Sequence, residues 1–285
     1  MTPTSVTPEK TTKTIRLPRL PFSLWIAIIM LAGVLALMAL VPLWSGFDPN
    51  KQSLFFALEP AFTNPAHPLG TDALGRDILS RLSVAASVSV LVALGAVCIS
   101  AVIGIVIGLL AGWMRGPVDS LLMALGNVQL AIPTVLLLIV LVAALGSSPL
   151  LLVILLGCVN WVGYGRVVRA QVISLREREF ITAVTTAGGS SWWIMRKHLL
   201  PNVLPAVLVL AAFDVGVIIT VESSLSFIGL GIQPPTPSLG LMISEGQRYL
   251  QTYLPLTLLP ALVIFFLIGG IQFASQSLNR APSRG

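Results

Sequence analysis

Six apolar stretches, at about 24–44, 84–112, 118–145, 149–173, 203–229 and 254–274, alternate with shorter polar segments along the chain. Each reaches the roughly 20 residues that a helix needs to cross a bilayer core. Hydrocarbon offers no partner to a bare N–H or C=O, so segments of this length close their own hydrogen bonds as helices. The pattern therefore predicts an all-α integral membrane protein with six transmembrane helices. The third stretch contains Pro133, whose missing N–H predicts a kink. The first follows a basic lead-in, but its apolar core, Leu24 to Leu43, exceeds the roughly 7–15 residues of a cleaved signal. It reads as a retained span ending at an interfacial Trp44. Residues 1–20 are expected to be a disordered cytoplasmic tail, and 21–285 a single membrane domain.

Composition agrees with this pattern. Only 10% of the 285 residues are charged and 55% are hydrophobic, whereas a soluble domain carries about a quarter charged residues. The net charge of +6 is better explained by its placement than by nucleic acid, since no basic stripe is interleaved with aromatics. If both termini are cytoplasmic, 13 of the 17 Lys and Arg residues fall on inside segments and 4 on outside ones. That asymmetry predicts cytoplasmic termini in a multi-pass protein of the cell (inner) membrane. Residues 45–83 then form an extracytoplasmic loop and 174–202 the main cytoplasmic loop.

Chemistry of its own is not expected. None of the four lysines stands in a phosphate-cradling loop. His67 and His198 fall on opposite sides of the membrane, Cys98 and Cys158 lie inside apolar runs, and no metal set or Ser/His/Asp arrangement emerges. The chain is read as non-catalytic, with no cofactor of its own.

The cytoplasmic loop carries the clearest local design. Phe180, Ala183, Val184 and Ala187 recur at helical spacing. Gly188 and Gly189 end that helix, and Ser190 is placed to cap a second one from Ser191, which Pro201 is expected to close. Such an elbow suits either a lever that plugs into a cytoplasmic partner or a helix pair lying on lipid headgroups. In the second span Gly104, Gly108 and Gly112 share a helical face, which predicts close packing of another helix.

The elbow resembles the cytoplasmic coupling loop of ATP-binding-cassette importer permeases. That loop reads Glu-Ala-Ala, three residues, Gly, nine residues, an often apolar position, any residue, then Leu-Pro. Here Gly188 is the Gly, His198 the often apolar position, and Leu200-Pro201 the Leu-Pro. The Glu-Ala-Ala positions hold Thr182, Ala183 and Val184, so the acidic residue is missing, with Glu179 one turn earlier as its substitute. The segments from His67 to Arg81 and from Glu222 to Gly240 are similar to segments of dipeptide/oligopeptide/nickel-type permeases. Ala124 and Asn127 depart from the family's usual Arg and Asp, and Leu239 from its usual Trp.

The resemblance implies a type I importer permease fold and an alternating-access mechanism. It also implies partners: a homologous second permease subunit, one or two cytoplasmic ATPases that bind ATP and Mg, an extracytoplasmic substrate-binding protein, a peptide substrate and membrane lipid. Nickel, glutathione or another small solute is the alternative cargo. An ion-coupled secondary carrier and a non-transporting scaffold are alternatives of a different class. Asp214 and Glu222, in the fifth span, are candidates for the translocation pathway, where they would attract a peptide's amino terminus. Pairing with polar groups at a subunit interface is the competing reading, and the favoured one for Glu222. Asp72, Arg76 and Asp77 are candidates to brace the extracytoplasmic vestibule or to contact the delivery protein, with a structural salt-bridge cluster the favoured reading.

Overall fold

A computed structural model describes residues 22–44 and 46–279; the expected tail at 1–20 lies outside them. Its elements are α1 (Phe22–Leu40), α2 (Ile78–Met114), α3 (Gly116–Leu130), α4 (Thr134–Leu145), α5 (Pro149–Val159), α6 (Trp161–Arg176), α7 (Glu179–Thr186), α8 (Ser191–Ile194), α9 (Leu200–Phe227), α10 (Leu239–Gly246) and α11 (Pro255–Asn279). Five helical rods among the described residues are long and apolar enough to cross a membrane, and α3 with α4 makes a sixth if the bent pair counts as one span. The fold is all-helical, as the apolar runs predict.

Three boundaries differ from the sequence reading. First, α2 begins at Ile78, six residues inside the expected loop, because the Asp77 carboxylate caps it by accepting from the Ser80 N–H at 2.7 Å. Second, Pro133 does more than kink the third stretch. The chain turns by 84° between α3 and α4, and Pro133 bars the residue before it from helical dihedrals. Third, Pro201 does not close the helix that starts at Ser191. A π-helical turn, Met195–Leu199, links α8 to α9, and Ser191–Phe227 runs as one rod. The wide turn, in which the Leu200 N–H reaches the Met195 carbonyl, admits the proline ring in the first turn of α9.

Helix α2 is the centre of the bundle. It packs along α6 most extensively and also against α5 and α9, while α11 lies between α1 and α9. The glycine face explains the closeness of α2 and α6. A Cβ built on Gly108 would sit 2.6 Å from the Gly165 carbonyl oxygen, and one on Gly112 2.7 Å from Val172 Cβ. Gly104 is equally crowded by Tyr164 and the Trp161 carbonyl. Within a bilayer, where apolar side chains gain little by leaving lipid, this close fit supplies much of the attraction between helices. Side chains left exposed on the spans are mostly apolar, among them Trp25, Ile29, Leu35, Leu94 and Val140, as a lipid-facing surface requires.

Candidate functional site

Functional candidates gather at three levels: the elbow, a polar layer midway along the rods, and the end opposite the elbow.

At the elbow, α7 and α8 meet through Gly188, whose φ of +85° is open to glycine without strain. Ser190 Oγ accepts from the Trp193 N–H at 3.4 Å and starts the second arm. The apolar face divides differently from the spacing argument. Ile181 and Ile194 are the buried anchors, packed with Val168, Val172, Leu199 and Val203, each worth about 1.5–3 kcal/mol by transfer. Val184 is partly buried, whereas Phe180, Ala183 and Ala187 face outward with Glu179 and Thr182. His198 sits between the two arms, its ring centroid 4.9 Å from Trp193 and 6.3 Å from Phe180. Leu200 packs against the buried cluster, and Pro201 is exposed.

Cations fix the base of the elbow to the rods. Arg176 Nη1 donates to the Trp113 carbonyl at 2.7 Å and its guanidinium lies 5.2 Å from the centre of that indole. Arg115 pairs with Glu177 at 3.1 Å across an exposed gap. Asn127 accepts from Arg166 at 2.8 Å, and Asp119 holds Arg169 by two bonds of 2.5 and 2.6 Å. The third stretch thus keeps an ion pair to α6, although Ala124 and Asn127 replace the family's charged residues.

The polar layer lies where two rods are interrupted, at 131–133 and at Asn160. Irregular backbone at membrane depth persists only where other groups satisfy it. Gln129 does so here: its Nε2 donates to the Val159 carbonyl, and its Oε1 accepts from the Trp161 indole at 2.9 Å. Asn160, held between those two residues, donates from Nδ2 to Asp214 Oδ2 at 3.2 Å. Asp214 is partly exposed. Glu222 is not. It is fully buried and accepts from Ser89 at 2.9 Å, Ser226 at 2.8 Å and Ser223 at 3.4 Å. This corrects the pathway reading of Glu222: two turns further along, the face of α9 is covered by α2, and the carboxylate joins the two helices instead of meeting a passage.

At the opposite end, Asp72 and Arg76 form the expected pair, with Nε to Oδ2 at 2.7 Å. Asp77 stands apart from it, capping α2 and approaching His67 Nδ1 at 3.3 Å. The network includes two residues that the sequence did not single out. Arg81 also bonds Asp72, and Arg76 and Arg81 both reach Glu245 on α10, at 3.3 and 2.9 Å. A cavity of about 280 Å³ opens above them. Nearby, Tyr253 donates its hydroxyl to the Glu59 carbonyl at 3.1 Å, and burial pushes that phenol's pKa above its ordinary value.

The family described as "Binding-protein-dependent transport system inner membrane component" matches residues 104–280, more than half of the chain. The chain belongs to this family. The permease is 38% identical over 74% of its length to the dipeptide transport system permease protein DppC of Lactococcus lactis subsp. cremoris (strain MG1363), covering 62% of that protein. It is 34% identical to the nickel transport system permease protein NikC of Escherichia coli (strain K12), over 86% of the permease and 90% of the relative. It is also 35% identical to the oligopeptide transport system permease protein OppC of Haemophilus influenzae (strain ATCC 51907 / DSM 11121 / KW20 / Rd), over 75% and 69%. The match reaches from α2 through the elbow to α11, so the elbow, the polar layer and the α10 end of the network all lie within a permease of this family. Residues that the sequence left unnoticed in the permease are Gln129, Asn160, Tyr164, Arg81 and Glu245. Only the first two carried a signal, as amides inside apolar runs.

Proposed function

We propose that this permease carries dipeptides or short oligopeptides into the cell as one half of an ATP-driven importer. The termini and elbow lie in the cytoplasm, where the elbow receives the stroke of a partner ATPase that binds ATP and Mg. A homologous second permease completes the passage, and a substrate-binding protein delivers cargo at the Asp72–Arg76–Glu245 end. The placement of basic residues supports that orientation. The dipeptide and oligopeptide transport for which the lactococcal and Haemophilus relatives are named supports the peptide class. Nickel is the second reading, because the Escherichia coli relative carries that name and aligns along 90% of its length.

One observation carries the proposal: the elbow presents Phe180, Ala183 and Ala187 outward from a base that Ile181, Ile194 and Arg176 anchor to the rods. A lever needs both features, an uncovered contact face and a stiff root. Phe180→Ala is expected to weaken association with the ATPase by at least about 2 kcal/mol, roughly 30-fold, the scale of an aromatic anchor in an interface. Co-purification of the ATPase and uptake of a labelled dipeptide into reconstituted vesicles check this; unchanged association and uptake would remove the lever reading. A cysteine placed at Ala187 should react with a membrane-impermeant thiol reagent only after cells are opened. Labelling of intact cells would reverse the orientation.

A further inference from the structure

Asp214 is a partly exposed carboxylate midway along a membrane rod, and among the described residues no Lys, Arg or His pairs with it. Such a group at that depth faces a cavity or a counter-ion. Its surroundings supply oxygen atoms. Asn160 spends its amide N–H on Asp214 Oδ2, and its Oδ1 is left free to accept. Tyr164 is fully buried, and its hydroxyl lies against the Asp214 carboxylate.

The seat is also held in place. Gln129 binds the Val159 carbonyl and the Trp161 indole on either side of Asn160. Tyr164 is wedged against Gly104, where a side chain would collide with its Cβ. A cavity of about 170 Å³, lined by Thr134, Leu138, Asn160, Val217 and Val221, adjoins the amide. A primary ammonium carries three N–H donors and one positive charge. The site offers a carboxylate oxygen and an amide oxygen, with an apolar recess beside the amide.

We propose that Asp214 and Asn160, with Tyr164 positioning the carboxylate, seat the free α-ammonium group of a peptide in transit, so that the permease itself selects for an unblocked amino terminus. This rests on the reading of the chain as a peptide importer. The apolar recess takes the first side chain.

The test uses the complete transporter in vesicles. Its binding protein is saturated beforehand with either a free dipeptide or the same dipeptide acetylated at its amino terminus, so the delivery protein's own preference drops out. Asp214→Asn should cut uptake of the free dipeptide by about tenfold or more, the scale of a charge-assisted hydrogen bond, and leave the acetylated one unchanged. Tyr164→Phe should act in the same direction by a few-fold, and the assembled complex is verified by size-exclusion chromatography. Equal loss of both peptides would mean that Asp214 serves structure or pairs with the second permease, and would overturn the inference. So would a ratio that does not move in either variant. If the wild-type complex hydrolyses ATP but takes up neither peptide, the peptide-importer reading falls as well, and the two failures are thereby told apart.

Discussion

Arg81→Met is expected to lower the stability of the folded permease by about 2–3 kcal/mol, less than the roughly 3–5 kcal/mol of a buried charge left wholly unpaired, because Arg76 still holds Asp72. The reasoning does not require the pair to be strongly stabilising. Bringing Arg76, Arg81 and Asp72 out of water is expensive, and their mutual attraction roughly offsets it. Removing Arg81 takes away its own share of that expense but leaves Asp72 and Glu245 with a single cation, Arg76, between them. Arg81 is buried to 3% side-chain exposure and Asp72 to 9%, so little solvent is available to take over. Glu245 is about a third exposed, and water screens its share of the loss. The measurement is the thermal unfolding midpoint of the purified complex. Arg81→Met combined with Glu245→Met should recover part of the loss, because the second change removes one of the stranded charges. A midpoint within a degree of wild type for Arg81→Met would show the network to be dispensable.

Gly108→Val is expected to remove folded permease from the membrane. The first new carbon would lie 2.6 Å from the Gly165 carbonyl oxygen and 2.7 Å from Val168 Cβ. Neither neighbour can swing aside, since one is backbone and the other is the stiff root of a β-branched side chain. Overpacking of this kind typically costs about 1–3 kcal/mol in a core that can relax, and more where two rods must separate along their whole contact. Gly163→Val on α6 is the matched control, because nothing lies within 4 Å of a Cβ there. Fluorescence-detected size-exclusion chromatography of the two variants reads the difference. Equal recovery of both would mean that α2 and α6 are not held by that face.

The glycine face was legible because its periodicity alone places three missing side chains on one line. The elbow was legible in outline for a similar reason: Gly188, Ser190 and the polar character of 174–202 are local signals. Which residue anchors it was not. Phe180, Ala183, Val184 and Ala187 recur at helical spacing, yet Ile181, between Phe180 and Ala183, is the buried residue of α7, and only the position of α6 and α9 decides that it turns inward. Pro201 illustrates a rule that context overrides. A proline ends a helix when the carbonyl before it has nowhere to go, and the π-turn at Met195–Leu199 gives it room.

The chain's order of polar and apolar residues by itself determined a helical membrane body, its approximate spans, the glycine-lined contact and the hinge, because each depends on neighbours within a few residues or on bulk transfer from water. Tertiary structure decided everything that needs two distant segments to meet. Arg76 and Glu245 are 169 residues apart, and Ser89 and Glu222 are 133 apart. Asp214 and Glu222 look alike in sequence, two acids on one apolar helix. The packing of α2 over one and the interruption of α5 and α6 beside the other separate a buried joint from a partly open seat. The physical reason is that the state of a carboxylate in a membrane depends on which oxygen, nitrogen or void lies within about 3 Å of it, and that distance is set by the fold.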